Sequence, residues 1–306
     1  MKNSINHINE LRKNKNAIIL AHYYQIPEIQ DIADYVGDSL GLAREAEKTD
    51  ADIIVFAGVH FMAETAKILN PDKKVLIPDT QAGCSLADSC PPKEFEEFIK
   101  QYPDHMVITY VNATAEIKAL SDIIVTSSNA KRIVEQLPLD QKIVFAPDKN
   151  LGTYINNISG RNMVLWDGSC HVHNQLELDH ILKLKIDNPN IPLIAHPECQ
   201  APILEIAEFV GSTNALLNYT RNDSENKYIV ATEGGILHQM KKHSPNKEFI
   251  IVPSDELCNC NDCEYMKMNT LDKILHVLQN EINEVTLHEE LITKAYKPLK
   301  RMLEMS

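Results

Sequence analysis

The chain repeats itself three times, and that repeat restricts its fold more than any single motif does. VFAGVHFMAETA from Val55, VFAPDKNLGTYI from Val144 and VATEGGILHQM from Val230 superpose at offsets of 89 and 86 residues. VGDSLGLAR from Val36, VTSSNAKRI from Val125 and VGSTNALLN from Val210 superpose at offsets of 89 and 85. A third set, KVLIPDTQAGC from Lys74, NMVLWDGSCHVH from Asn162 and EFIIVPSDELCNC from Glu248, keeps nearly the same register, and each member runs into a cysteine. Between these units lie KEFEEFIKQYP, LELDHILKLKI and TLDKILHVLQNEI, with apolar residues at helical spacing, and the N-terminal INHINEL matches their start.

Short Ile- and Val-rich runs alternating with helices specify parallel strands, right-handed crossovers and helices on both sheet faces. The expected fold class is therefore α/β, with three α/β/α sandwich domains related by a pseudo-threefold axis around a central active site. A length of 306 residues suits several lobes better than one core. The expected boundaries are 1–92, 93–175 and 176–267, with C-terminal helices over 268–306 packing on the first unit. A period this long exceeds solenoid repeats, so a closed assembly is expected in place of an open stack.

The formal charge of -13 and the absence of a Lys/Arg stripe argue against nucleic acid as a partner. The N-terminal MKNSINHINELRKNKN lacks the apolar core of a signal peptide, and no segment approaches the ~18 apolar residues of a membrane span. The expectation is a cytoplasmic protein with no membrane partner. In that compartment its seven cysteines are expected to be reduced, so that metal ligation or catalysis outranks disulfides.

Ligand crevices of open parallel sheets lie beyond the carboxyl ends of the strands. The first strand of each unit ends at IILAHYYQ, VITYVNAT or PLIAHPEC, which puts His22 and Tyr24, Tyr110 and Asn112, and His196 and Glu198 at that edge. The second strands end at Asp38 and Ser39, Ser127 and Ser128, and Ser212 and Thr213. One hydroxyl at such a turn is most often a helix cap. Three sets on a common axis converge on a cavity suited to a small molecule bearing carboxylates or phosphate.

Cys84, Cys170 and one of Cys258, Cys260 and Cys263 each follow the last strand of a unit, whereas Cys90 and Cys199 read as small buried hydrophobes. Two metals suit the remaining thiols. An iron-sulfur cluster on three thiolates leaves one iron open to a substrate oxygen. Zinc is the alternative, drawing on the CNCNDC run or on His171 and His173 beside Cys170.

The stretches AHYYQIPEIQDIADYVGDSLGLAR, FMAETAKIL, DTQAGCSLAD, YVNATAEIKALSD, TSSNA, APDKNLGTYI, HPEC, GST, TEGG and CEYMKMN follow in order across nearly the whole chain. Together they resemble the quinolinate synthase family. The resemblance implies condensation of iminoaspartate with dihydroxyacetone phosphate to quinolinate, with loss of phosphate and water, in de novo NAD synthesis. It implies a 4Fe-4S cluster on Cys84, Cys170 and Cys263, and a functional link to an L-aspartate oxidase or dehydrogenase. By matching motif it places His22, Ser39, Tyr110, Asn112, Ser127, His196, Glu198, Ser212 and Thr213 around the substrates. Glu198, Tyr24, His22, His196 and His173 become the candidates for moving protons. The chain departs from the family pattern at Tyr23, where Asn is common, and in the CxCxxC spacing, which leaves three roles open to Cys258 and Cys260: redox-active partners, a regulatory disulfide or surface thiols.

Overall fold

The computed structural model describes residues 2–254 and 260–306. It contains three four-stranded sheets in which every pairing is parallel. The first holds β1 (Ala17–His22), β2 (Tyr35–Gly37), β3 (Ile53–Ala57) and β4 (Lys74–Leu76) in the order β2-β1-β3-β4. The second holds β5 (Met106–Tyr110), β6 (Ile123–Val125), β7 (Ile143–Ala146) and β8 (Val164–Leu165) in the order β6-β5-β7-β8. The third holds β9 (Leu193–Ala195), β10 (Phe209–Val210), β11 (Lys227–Ala231) and β12 (Glu248–Ile251) in the order β10-β9-β11-β12. The three orders are the same once numbering restarts in each lobe, so the α/β class and the threefold repeat stand as expected.

The central strands are apolar on both faces because helices cover both. All of β3 and β7 is buried, and so is β11 after Lys227. Each Ile, Val or Phe so enclosed contributes about 1.5–3 kcal/mol of hydrophobic free energy. The amphipathic segments that separate the repeats form the helices Pro92–Ile99, Leu178–Asp187 and Leu271–Asn280.

A hydrogen-bond device also recurs in each lobe. Just before the second strand, an acidic side chain accepts from a first-strand amide: Asp34 from Ile19 at 2.8 Å, Asp122 from Val107 at 2.8 Å, and Glu208 from Leu193 at 2.6 Å. The backbone amides of these acids donate back to the same three residues, which pins the register of the edge strand.

The C-terminal helices reach two lobes. Leu271–Asn280 packs on the N-terminal helix Lys2–Asn14, sharing a core of Ile8, Ile274, Val277 and Leu278. Glu289–Met305 lies across the first-lobe helix His60–Leu69 and the second-lobe helix Ala115–Ala119, burying Ala295, Leu299 and Met302. No helix among the described residues is long and apolar enough to cross a membrane.

The lobes touch where their second strands end. The Ser128 hydroxyl donates to Asp38 Oδ2 at 2.5 Å and lies 2.8 Å from Ser212 Oγ, joining all three units at one point.

Candidate functional site

Strand ends and helix starts from every lobe enclose one cavity, with about 680 Å³ of empty space that opens partly to solvent. Cys84, Cys170 and Cys263 all line it. Each stands at the residue preceding a four-residue helix: Ser85–Asp88, His171–Asn174 and Glu264–Lys267 respectively. These helices follow β4, β8 and β12, so the fourth strand of each lobe delivers one thiol.

Amides two or three residues along donate toward the sulfurs, from Leu86 and Ala87 to Cys84, from His173 to Cys170, and from Tyr265 and Met266 to Cys263. Burial outweighs them. It pushes Cys84 up to about 12, Cys263 up to about 11 and Cys170 well above the ordinary thiol range. Three such thiols ionise together only when a cation of higher charge replaces their protons.

Around one tetrahedral zinc, thiolate sulfurs lie roughly 4 Å apart, given Zn–S near 2.3 Å. Among the described residues, the one set of three ligand atoms within 4.8 Å of one another is Cys170, His173 and Glu198. Cys84, Cys170 and Cys263 do not form such a set: at least one pair of their sulfurs is more than 4.8 Å apart. Cys90 and Cys199 are fully buried and do not line the cavity. Cys90 packs with Phe95 and Ile117, and Cys199 donates to the Ala231 carbonyl at 3.4 Å. Cys260 is disulfide-bonded, and Cys258 lies outside the described residues.

The first-strand ends supply the polar lining. His22, Tyr24, Tyr110, Asn112, His196 and Glu198 all face the cavity, joined by Ser39, Ser127, His173 and Thr213. Ser212 sits behind them, capping the helix Thr213–Asn222 through the Ala215 amide and meeting Ser128.

Glu198 Oε2 is 2.8 Å from His173 Nδ1 and 3.4 Å from His196 Nδ1, while Oε1 has no partner among the described residues. Burial alone would raise this carboxyl, but His173, His196 and a hydrogen bond from Tyr110 outweigh it and hold it down at about 2. His173 Nε2 lies 2.9 Å from Thr232 Oγ1, which meets the Tyr24 hydroxyl at 3.0 Å; that hydroxyl in turn meets Thr213 Oγ1 at 2.9 Å. A hydrogen-bonded chain thus runs from Glu198 through residues of all three lobes.

His22 and His196 share one arrangement. Nδ1 of each accepts from the amide two residues on, Tyr24 at 3.2 Å and Glu198 at 3.4 Å. Burial, against the opposing pull of Glu198, lowers both rings to about 3. They are neutral at physiological pH, and Nε2–H is left as the free donor. Tyr24 and Tyr110 are raised well above the ordinary phenol range, chiefly by burial, and keep their protons.

Three polar atoms of this lining lack a partner. Asn112 Oδ1, Thr126 Oγ1 and Glu198 Oε1 are buried without a protein partner among the described residues, a costly state unless a bound molecule or water satisfies them. Thr232, Glu233, Asp148 and Lys267, which tie the lining and the cysteines together, were not singled out as site residues by sequence. Thr232 and Glu233 stand in the TEGG stretch and Asp148 in APDKN, both read as repeat segments and as part of the family resemblance, with no role given to the individual residues.

The chain matches the family model described as quinolinate synthetase A protein over residues 6–304. It is 60% identical over 299 residues to the quinolinate synthase of Synechocystis sp., covering 98% of this chain and 94% of that protein. The Thermosynechococcus vestitus quinolinate synthase is 59% identical over 300 residues, with 98% and 94% covered. That of Chloroherpeton thalassium is 56% identical over 300 residues, with 98% and 93% covered.

Proposed function

The chain belongs to the quinolinate synthase family, and from that premise we propose that it condenses iminoaspartate with dihydroxyacetone phosphate to quinolinate, releasing phosphate and water. The observation that carries this reading is the meeting of three equivalent thiols and one ionised, half-partnered carboxylate in a single cavity.

Cys84, Cys170 and Cys263 would hold a 4Fe-4S cluster, one thiolate from each lobe. When bound, such a cluster supplies a Lewis-acidic iron without a protein ligand, able to polarise a substrate oxygen. The lobes are assigned as 1–92, 93–175 and 176–267, each giving one ligand. A cytoplasmic location accords with the free thiols of Cys84, Cys170 and Cys263, though the bonded Cys260 departs from the expectation of seven reduced cysteines; an L-aspartate oxidase or dehydrogenase is the class of enzyme that would supply the imine.

The remaining roles follow from donor chemistry. Ser39, Ser127, Asn112 and Thr213 bind carboxylate and phosphate oxygens, with His22 and His196 donating through Nε2–H. Ser212 fixes the start of the helix that presents Thr213. Glu198 Oε1 is the base for proton removal, because it is ionised and has no other partner. His173, Thr232 and Tyr24 carry the proton onward along the chain of short contacts that begins at Glu198 Oε2.

The test is anaerobic purification with iron, sulfide and zinc analysis, followed by an assay for quinolinate from the two substrates. About four irons and four sulfides with quinolinate formation are expected. A colourless, catalytically inert protein carrying one zinc would overturn the proposal and favour a mononuclear site at Cys170, His173 and Glu198, the set whose ligand atoms lie close enough together.

A further inference from the structure

We propose that Asp148 and Glu233 are positioning residues whose carboxylates clamp the backbones of Cys170 and Cys263 for cluster binding. The inference rests on the cluster reading above. Asp148 lies two residues beyond the end of β7 at Ala146, and Glu233 two beyond the end of β11 at Ala231, so they occupy equivalent places in their lobes. Both are fully buried.

Each carboxylate holds two amides. Asp148 Oδ1 accepts from Leu151 at 2.7 Å, and Oδ2 accepts from Cys170 at 3.1 Å. Glu233 Oε2 accepts from Gly235 at 2.6 Å, and Oε1 accepts from Cys263 at 3.0 Å. One oxygen closes the local turn while the other reaches a cysteine 22 or 30 residues further along the chain. A helix start alone does not need this: Thr114, Ser212 and Thr270 cap theirs with a single hydroxyl.

Fixing a cysteine amide fixes the direction in which its side chain leaves the backbone, and ligand geometry tolerates errors of only about 0.5 Å. Lys267 Nζ extends the third-lobe clamp, lying 2.7 Å from Glu233 Oε1 and donating to the Tyr24 carbonyl at 2.7 Å. In the first lobe the equivalent residue, two beyond the end of β3, is Val59. Cys84 therefore has no matching carboxylate at that place.

The test compares wild type with Asp148→Ser and Glu233→Gln. Serine can keep the Leu151 cap but cannot also reach Cys170. Glutamine has one acceptor for two amides, and its NH2 faces a donor. Thr114→Ala serves as a control that removes a helix cap without touching a cysteine. The readouts are the anaerobic rate of iron loss to bathophenanthroline and the electron paramagnetic resonance spectrum of the reduced protein. Loss of such an outer contact should accelerate iron release about 10- to 100-fold in each variant and alter the spectrum, with the control unchanged. Asp148→Asn, isosteric with wild type, must show the same acceleration without removing an atom. If wild type loads a cluster and the variants release iron at the control rate, the clamp is refuted while the cluster reading stands. If wild type never loads a cluster, both fall together.

Discussion

The thiols and the first-strand ends occupy equivalent backbone positions in all three lobes, yet the lobes agree at one set and differ at the other. Before the short helices the three residues are Cys84, Cys170 and Cys263. At the ends of β1, β5 and β9 the corresponding pair of positions reads His22 and Tyr24, then Tyr110 and Asn112, then His196 and Glu198. Identical groups from three directions suit a cofactor placed near the axis. The two substrates proposed above have no threefold symmetry, and groups that differ from lobe to lobe are what such a pair would call for. The repeated frame holds; the substituted positions act.

The largest expected effect strikes the shared set. Cys170→Ala should abolish cluster loading, with iron and sulfide near background and no quinolinate formed. Substantial cluster in that variant would break the equivalence of the three thiols.

Next comes the unlike set. Glu198→Gln should retain wild-type iron and sulfide but lose about 10²–10⁴-fold in kcat, the usual range for a removed general base. Near-wild-type turnover would remove Glu198 from proton transfer. Tyr24→Phe should cost about tenfold, the equivalent of one hydrogen bond worth ~1.4 kcal/mol, because Thr232 and Thr213 lose their shared hydroxyl. That figure is read from kcat at matched cluster content.

Titration separates the sets in another way. The folded-state value of His22 is depressed to about 3 from 6.5. Below pH 6.5 the unfolded chain binds a proton that the folded chain refuses, so wild type loses stability as pH falls through that window. Relative to His22→Gln, the loss should be about 1.4 kcal/mol per pH unit. Urea unfolding of both proteins at pH 7 and pH 5 checks it; a stability difference independent of pH would show that the ring titrates in the fold as it does in the unfolded chain. Smallest and most even are the register acids. Asp34→Ala, Asp122→Ala and Glu208→Ala should each cost about 1 kcal/mol, by urea midpoints, with similar values for the three.

Much of this architecture was legible in the sequence because buried parallel strands demand continuous Ile/Val runs, and three such runs can be aligned on Val55, Val144 and Val230. The recurring acids escaped notice because Asp34, Asp122 and Glu208 carry no hydrophobic signal and one is a different residue type. Thr232, Asp148 and Glu233 were hidden for a related reason. Their roles depend on contacts with residues far along the chain, such as His173 for Thr232 and Cys170 for Asp148, which spacing cannot reveal. Ser212 was read as a pocket hydroxyl beside Thr213. Its side chain caps a helix and meets Ser128, while Thr213 lines the cavity.

The distribution of the thiols along the chain also sets an order of events during synthesis. The ligand candidates are residues 84, 170 and 263 of a 306-residue chain, one per lobe. A nascent polypeptide still on the ribosome therefore exposes one or two of them for most of its elongation, and a metal captured then would meet an incomplete set. If the three thiols hold the proposed cluster, a full ligand set exists only once the third lobe has emerged and met the other two, so loading would follow folding.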